Sequence, residues 1–378
     1  MVNFSEKCIF LLSYLLWLLK WRRTKDLHKN RLTIKNILII HLGHLGEVTL
    51  STGAISILRN QFPNANITCV VGSWALPIIK HSNLVDKLIT YDAPMYSRNK
   101  RKGGKSFRNT IKKFSQNGFD LICDFRKDFS ALRYEAFSTA RYMLDFGVAR
   151  LAKRENSTHF MRDHYFQRYL STIKLGNLTN DLATTQISLP TENELEIDRI
   201  LSGINLLGKK FVIFHPFATE ESREWPLEKY ADLAHQIYLQ LELPVLIAVP
   251  PHERKRSERL ANLILTPCFT IDRALTPAQL AGLCKKADLF VCSDGGGMHL
   301  ASTTDVTVLA LFGAKPRHWE LFGPWSKSGI VIDSGTGVYN ISPEDVLRTI
   351  IYNIGLDPDE NNFLTRFEHL PFAVYEVK

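Results

Sequence analysis

The chain has no paired cysteines, no cluster of metal-type ligands and no hydrophobic run long enough to cross a bilayer. Its six cysteines (Cys8, Cys69, Cys123, Cys268, Cys284, Cys292) show no CxxC spacing, and Cys69, Cys123 and Cys292 fall in or beside apolar, strand-like runs. This excludes a disulfide framework and reads as reduced, mostly buried thiols in a cytosolic protein. The N-terminal apolar run, Cys8 to Leu19, holds twelve residues, which as a helix rise roughly 18 Å against a hydrocarbon core of about 30 Å. A secretory signal is disfavoured as well, because the positive charge follows the run and no small-residue cleavage site appears. The basic clusters lack the interleaved aromatics that stack on bases, so a nucleic-acid partner is not expected.

What is present begins with size: 378 residues, 45% of them hydrophobic, suit two domains with sizeable cores. Short apolar runs at Ile34–His41, Ile67–Val71, Lys87–Thr90 and Phe119–Asp124, separated by helix-compatible segments, read as repeated βαβ units. After a polar, proline-bearing linker over Gly176–Glu194, the alternation resumes with Phe211–Phe214, a helix around Leu227–Leu239 and Val245–Val249. Thr276, Pro277 and Gln279 form the pattern of an N-cap, a first-turn proline and a capping-box partner before another helix. The segment Phe129–Gly147 reads as helical and mostly structural. These signals predict an α/β fold of two doubly wound, Rossmann-like domains facing a cleft, with an N-terminal apolar helix. The expected boundaries are 1–31 for a membrane-associating segment, 32–185 for the first domain and 186–378 for the second, ending in a helix. Ligands are expected at the C-terminal ends of the strands.

The densest chemistry lies in VCSDGGGMHLASTTDVTVLALFG, Val291 to Gly313. Here a buried strand ends at Ser293 and a helix begins near Met298, so Gly296 and Gly297 sit at a strand-to-helix turn. Unpaired N–H groups and the helix dipole there favour a phosphate, and His299 can add a donor. A second element, ESREWP at Glu221–Pro226, supplies Arg223.

SDGGGMHLASTTDVTVLALFGAKPRHWELFGPW resembles the C-terminal signature of glycosyltransferase family 9, the heptosyltransferases. ILIIHLGHLGEVTLSTGAISILRNQFPNANITCVVGSWALPII resembles that family's opening strand, turn and helix, and VIFHPFATEESREWPLEKYADLA the strand and basic-x-Trp-Pro stretch of its second domain. The resemblance implies a GT-B-type fold and an inverting, metal-independent glycosyltransferase. It would move heptose from ADP-heptose to an inner-core lipopolysaccharide or lipooligosaccharide acceptor. It implies no cofactor and no metal, since basic residues and a helix end serve where other glycosyltransferases use Mg²⁺. Alternatives are a family 9 transferase using another nucleotide sugar, a nucleotide-sugar epimerase-like enzyme, or a non-catalytic membrane-surface binding protein.

The resemblance also distributes roles. Glu47 stands where the family usually has the aspartate that acts as general base; the other reading of Glu47 is electrostatic support of a helix N-terminus. Arg223, Gly296, Gly297, Met298 and His299 would bind the donor diphosphate, Arg223 as a planar fork, unless it forms only a surface ion pair with Glu220, Glu221 or Glu224. Asp294 would orient sugar or acceptor hydroxyls. Glu253 would bind the donor ribose, its alternative being a solvated acid before a charged helix. Gly43, Phe217 and Gly295 depart from the family's commoner serine, glycine and small hydroxyl residue.

The segment Ser97–Lys113 carries eight lysines and arginines and no acid. Such a run is often only a solvated loop. The resemblance makes Arg98, Lys100, Arg101, Lys102, Lys105 and Arg108 contacts for an anionic lipid-linked saccharide acceptor. With Lys20, Arg22, Arg23, Lys25, Lys29 and Arg31 they account for much of the +9 charge and favour an anionic membrane. The expected location is cytoplasmic, peripheral on the inner face of the inner membrane, with Trp17 and Trp21 near the headgroups. An extra helix packed on the first domain is the alternative for residues 1–31.

Overall fold

A computed structural model describes residues 12–353 apart from 13, 17, 21, 93–117, 126–137, 146–162, 175–183, 272, 314 and 316, together with 373–377. The chain divides into two units, Met1–Gln186 and Ile187–Lys378.

In the first unit, β1 (Asn36–His41), β2 (Asn66–Val71), β3 (Lys87–Thr90), β4 (Leu121–Asp124) and β5 (Tyr142–Asp145) form one parallel sheet in the order β3-β2-β1-β4-β5. Ile37 to Ile40 are fully buried on both faces, which is why β1 is a continuous apolar run rather than an alternating one. Helix α1 (Leu45–Gln61) follows β1, α2 (Leu76–Ile79) follows β2, and α3 (Tyr165–Lys174) packs on α1. Two expectations are corrected here. Tyr142–Asp145 is a buried strand, not part of a helix. Helix α1 starts at Leu45, three residues before the expected Val48, because His44 serves as N-cap.

Residues 12, 14–16, 18–20 and 22–24 are helical. Their end is tied to β5: the Thr24 hydroxyl donates to the Met143 carbonyl at 2.7 Å and accepts from the Met143 N–H at 3.1 Å. Lys20 Nζ donates to the Ser138 carbonyl at 2.7 Å, and Leu27 is fully buried. No helix among the described residues is long and apolar enough to cross a membrane.

In the second unit, α4 (Thr191–Gly203) takes in the end of the expected linker. The sheet contains β6 (Val212–His215), β7 (Val245–Ile247), β8 (Cys268–Thr270), β9 (Leu289–Ser293), β10 (Thr307–Phe312), β11 (Gly329–Asp333) and β12 (Ala373–Val377). Their order is β12-β11-β10-β9-β6-β7-β8, parallel except for β12, which runs antiparallel to β11. Helices α5 (Leu227–Leu241), α6 (Arg254–Leu263), α7 (Pro277–Cys284), α8 (Gly296–Ala301), α9 (Trp319–Phe322) and α10 (Pro343–Asn353) complete it. One apolar layer gathers Phe214, Trp225, Tyr230, Val291 and Leu309, the other Phe290, Cys292, Met298, Val308 and Ala310. The capping box of α7 forms as expected, Thr276 accepting from the Gln279 N–H at 3.2 Å. The described cysteines are free thiols; burial pushes Cys69 up to about 12 and Cys268 up to about 11, so both stay protonated at neutral pH.

Candidate functional site

In each unit the polar residues gather where parallel strands end. In the first unit this is the β1–α1 turn. His41, at the end of β1, is 1% exposed. Its Nδ1 accepts from the Gly43 N–H at 3.3 Å, so its Nε2 donates to the Glu47 carbonyl at 3.2 Å, and one neutral imidazole spans the turn. Its ring lies among those of Phe125 and Tyr169, at centroid distances of 5.9 and 5.4 Å. Trp74 Nε1 donates to the Gly43 carbonyl at 3.0 Å. Glu47 occupies the third helical position of α1, and its Oε2 accepts from the His44 N–H at 2.9 Å. The carboxylate is therefore held at the helix N-terminus while remaining partly exposed.

Asp124 and Asp145, register partners at the ends of β4 and β5, are buried, Asp124 beside Ile40 of β1 and Asp145 one strand farther out. The sequence reading did not single out His41, Asp124 or Asp145, since each closes an apolar run with no motif around it. The expected acceptor contacts Arg98, Lys100, Arg101, Lys102, Lys105 and Arg108 lie outside the described residues.

In the second unit Asp294 follows β9 and is only 6% exposed. Ser293 Oγ donates to the Pro216 carbonyl at 2.7 Å, fastening the end of β9 to the end of β6. Asp294 Oδ2 faces two nitrogen donors, His318 Nδ1 at 3.0 Å and Arg223 Nη1 at 3.4 Å. Arg223 Nη2 reaches Glu220 at 2.5 Å, and that hydrogen bond holds the Glu220 carboxyl below its ordinary range. Arg223 thus forms the ion pair with Glu220 that was its alternative reading and also faces the pocket. The cavity here is lined by Arg223, Asp294, Leu311, Phe312, Gly313, Lys315 and His318. Among the described residues no cluster of metal-type ligands occurs.

The glycine turn lies beside Asp294 but is not part of that wall. Gly295 is the N-cap of α8, and Gly296, Gly297, Met298 and His299 form its first turn. The helix begins at Gly296, two residues before the expected Met298. Gly297 is sterically required: a Cβ there would run into the His215 ring. His215 Nδ1 donates to the Ala248 carbonyl at 2.5 Å, its ring stacks on Phe290, and burial pushes its pKa down. Gly295, by contrast, has an extended backbone, and a Cβ at that position would meet no atom nearer than 4.0 Å. Its departure from the family's hydroxyl residue is not imposed by crowding. The Met298 side chain belongs to the core, leaving only its N–H for a ligand, and His299 is buried in the same helix.

Glu253 is paired with Arg256 at 3.1 Å and with His252 at 3.6 Å. Arg256 also binds Glu224, which pushes the guanidinium pKa up, and lies over the Phe217 ring at 4.1 Å. Glu253 is neither free nor part of the Asp294 pocket. Lys315, His318 and Arg256 were missed by sequence reading. For His318 no local pattern exists that could have found it.

Two doubly wound α/β units, parallel but for β12, each with its polar residues at the strand ends, define a protein of two Rossmann-like units. The model of glycosyltransferase family 9 (heptosyltransferase) matches residues 150–342, and the chain belongs to that family. It is 21% identical over 288 residues to a lipopolysaccharide core heptosyltransferase, OpsX, of Haemophilus influenzae, covering 74% of this chain and 79% of that one. To a lipopolysaccharide heptosyltransferase 3 of Escherichia coli it is 22% identical over 299 residues, covering 77% and 86%. The fold is similar to that of a family 9 glycosyl transferase from Veillonella parvula, with a TM-score of 0.70 at 17% identity over 85% of this chain and 98% of that one. It is also similar to E. coli ADP-heptose heptosyltransferase II, with a TM-score of 0.63 at 17% identity over 84% and 98%. The protein is a glycosyltransferase.

Proposed function

We propose that the protein is an inverting, metal-independent heptosyltransferase that moves heptose from ADP-heptose to an inner-core lipopolysaccharide or lipooligosaccharide acceptor. The observation that carries this reading is the pocket of Arg223, Lys315 and His318 around Asp294 at the strand ends of the second unit. Two cations, Arg223 and Lys315, and the His318 imidazole line it, and positive charge is what a departing diphosphate requires. The relatives named as lipopolysaccharide heptosyltransferases support the sugar and the acceptor class.

In the reaction Glu47 takes the proton of the acceptor hydroxyl as its oxygen bonds to the anomeric carbon. The bond from that carbon to the diphosphate breaks, and the electron pair leaves with the nucleoside diphosphate. Arg223, the N–H groups of Gly296, Gly297 and Met298, and His299 are assigned to that leaving group, and Glu253 to the ribose once it parts from Arg256. Asp294, whose charge repels a diphosphate, orients hydroxyls. The basic segment from Arg98 to Arg108 is assigned to the anionic lipid-linked acceptor.

Association with the cytoplasmic face of the inner membrane belongs to the same reading. Leu12, Leu15 and Leu19 are each about half exposed at helical spacing, and Arg22 and Arg23 follow on the exposed side, a pattern suited to an anionic interface.

Titration calorimetry with ADP, UDP, GDP and CDP, each without added metal, tests the donor assignment. Selective ADP binding is expected; preference for another nucleotide redirects the donor, and binding of none overturns the catalytic reading. Glu47→Gln retains an oxygen that can accept from the His44 N–H, so it should fold normally and bind ADP unchanged. Its transfer rate should fall by about 10²- to 10⁴-fold, whereas weakened ADP binding would move Glu47 to the donor side.

A further inference from the structure

We infer that His318 is a positioning residue of the donor pocket: it keeps the Asp294 carboxylate compensated, so that Arg223 is released to a nucleoside diphosphate. The inference rests on the reading of this pocket as a diphosphate site. Both terminal nitrogens of Arg223 are engaged with carboxylates, Nη1 with Asp294 at 3.4 Å and Nη2 with Glu220 at 2.5 Å. An arriving diphosphate must take at least one of them. Taking Nη1 strips a cation from a carboxylate that is 6% exposed, and an uncompensated buried charge is strongly unfavourable. A second donor on the same oxygen removes that obstacle. His318 Nδ1 supplies it, closer to Oδ2 than the arginine is, at 3.0 Å.

What holds His318 there does not depend on Asp294. Arg317, just before it, adopts a left-handed backbone conformation with φ +57°, uncommon for a residue with a side chain and typical of positions the surroundings impose. The Arg317 N–H donates to Asp333 Oδ2 at 3.3 Å, at the end of β11, and its side chain bonds Glu320 on α9. The His318 ring lies 4.8 Å from the Phe322 ring and 6.4 Å from that of Phe312. The imidazole is therefore aimed at the carboxylate by its backbone and two aromatic neighbours. When Arg223 turns to phosphate, His318 stays.

The test is ADP binding by the full-length protein, measured by calorimetry for wild type, His318→Phe, His318→Leu and His318→Asn, each alone and combined with Asp294→Asn. Phenylalanine and leucine keep apolar packing against Phe322 without the donor, so ADP affinity should fall about tenfold. Asparagine places an amide N–H near the position of Nδ1, and its affinity should stay within about threefold of wild type. In the Asp294→Asn background no charge needs compensation, so the Phe and Leu changes should alter affinity by less than about twofold. A merely structural role would persist in that background. The inference is overturned if His318→Phe and His318→Leu bind ADP like wild type, or if their loss survives Asp294→Asn. Wild type that binds no nucleoside diphosphate would overturn the donor reading itself, and this inference with it. Wild type that binds ADP while the His318 variants fail these expectations overturns the inference alone.

Discussion

Gly43 and Glu47 fit one another atom by atom. A Cβ at position 43 would lie 2.7 Å from Glu47 Oε2 and 2.9 Å from His41 Cε1. The longer side chain of glutamate, relative to the family's usual aspartate, thus brings a carboxylate oxygen into space that the usual serine would need. Gly43→Ser alone should destabilise the protein by about 1–3 kcal/mol, and combining it with Glu47→Asp should recover about 1 kcal/mol of that loss. Denaturant unfolding of the two single variants and the double variant checks this; additivity would mean the two departures are unrelated. At this scale the sequence identified residue types better than their partners. Asp294 and Glu47 stand out because a charge interrupts an apolar or glycine-rich run, and Arg223 because it lies two residues before Trp225 in the basic-x-Trp-Pro stretch. The engagement of His318 with Asp294 from 24 residues away arises only when separate loops meet, and no spacing rule encodes it, whereas that of Glu253 with Arg256 is a local i,i+3 pair at a helix start.

Among the elements, the junction of β6 and α8 is close-packed, because the His215 ring fills the space left by the missing Cβ of Gly297. Burial lowers the His215 pKa from its ordinary 6.5. The unfolded chain therefore takes up a proton that the native state refuses. This contribution to stability is complete above about pH 6.5 and is lost as pH falls from there toward the lowered native value. Between about pH 7.5 and about pH 5.5 the thermal midpoint of wild type should drop more than that of His215→Asn, which cannot titrate. Parallel slopes would show that His215 takes up its proton in the native protein as readily as in the unfolded chain. Legibility here followed local chemistry. Doubly buried strands such as β1 and β9 and the Thr276 capping box announce themselves. β5 does not, because YMLD is four residues long and set in a stretch rich in helix formers. The early start of α1 was hidden because His44 is not among the favoured N-cap residues.

On the scale of the whole molecule, the N-terminal segment and the first unit are not separable at residue 31. Thr24 and Leu27 are buried within that unit, and the bonds from Lys20 and Thr24 reach Ser138 and Met143. Removing residues 1–19 should therefore abolish sedimentation with vesicles rich in anionic lipid while leaving the unfolding midpoint nearly unchanged. Removing residues 1–31 should lower the midpoint too, since losing a buried leucine alone costs about 2–5 kcal/mol. If the shorter truncation still sediments with vesicles, the basic segment from Arg98 to Arg108 carries the attachment.

The Thr24 hydroxyl both gives a hydrogen bond to Met143 and receives one from it, and among the described residues β5 is the outermost strand on its side of the sheet. One side chain thereby imitates the backbone of a missing neighbour strand and blunts a border that could otherwise template intermolecular pairing. Thr24→Val, nearly the same shape without the hydroxyl, would reopen that border at a single rung. The residue that tethers the N-terminal helix thus also guards the sheet against self-association.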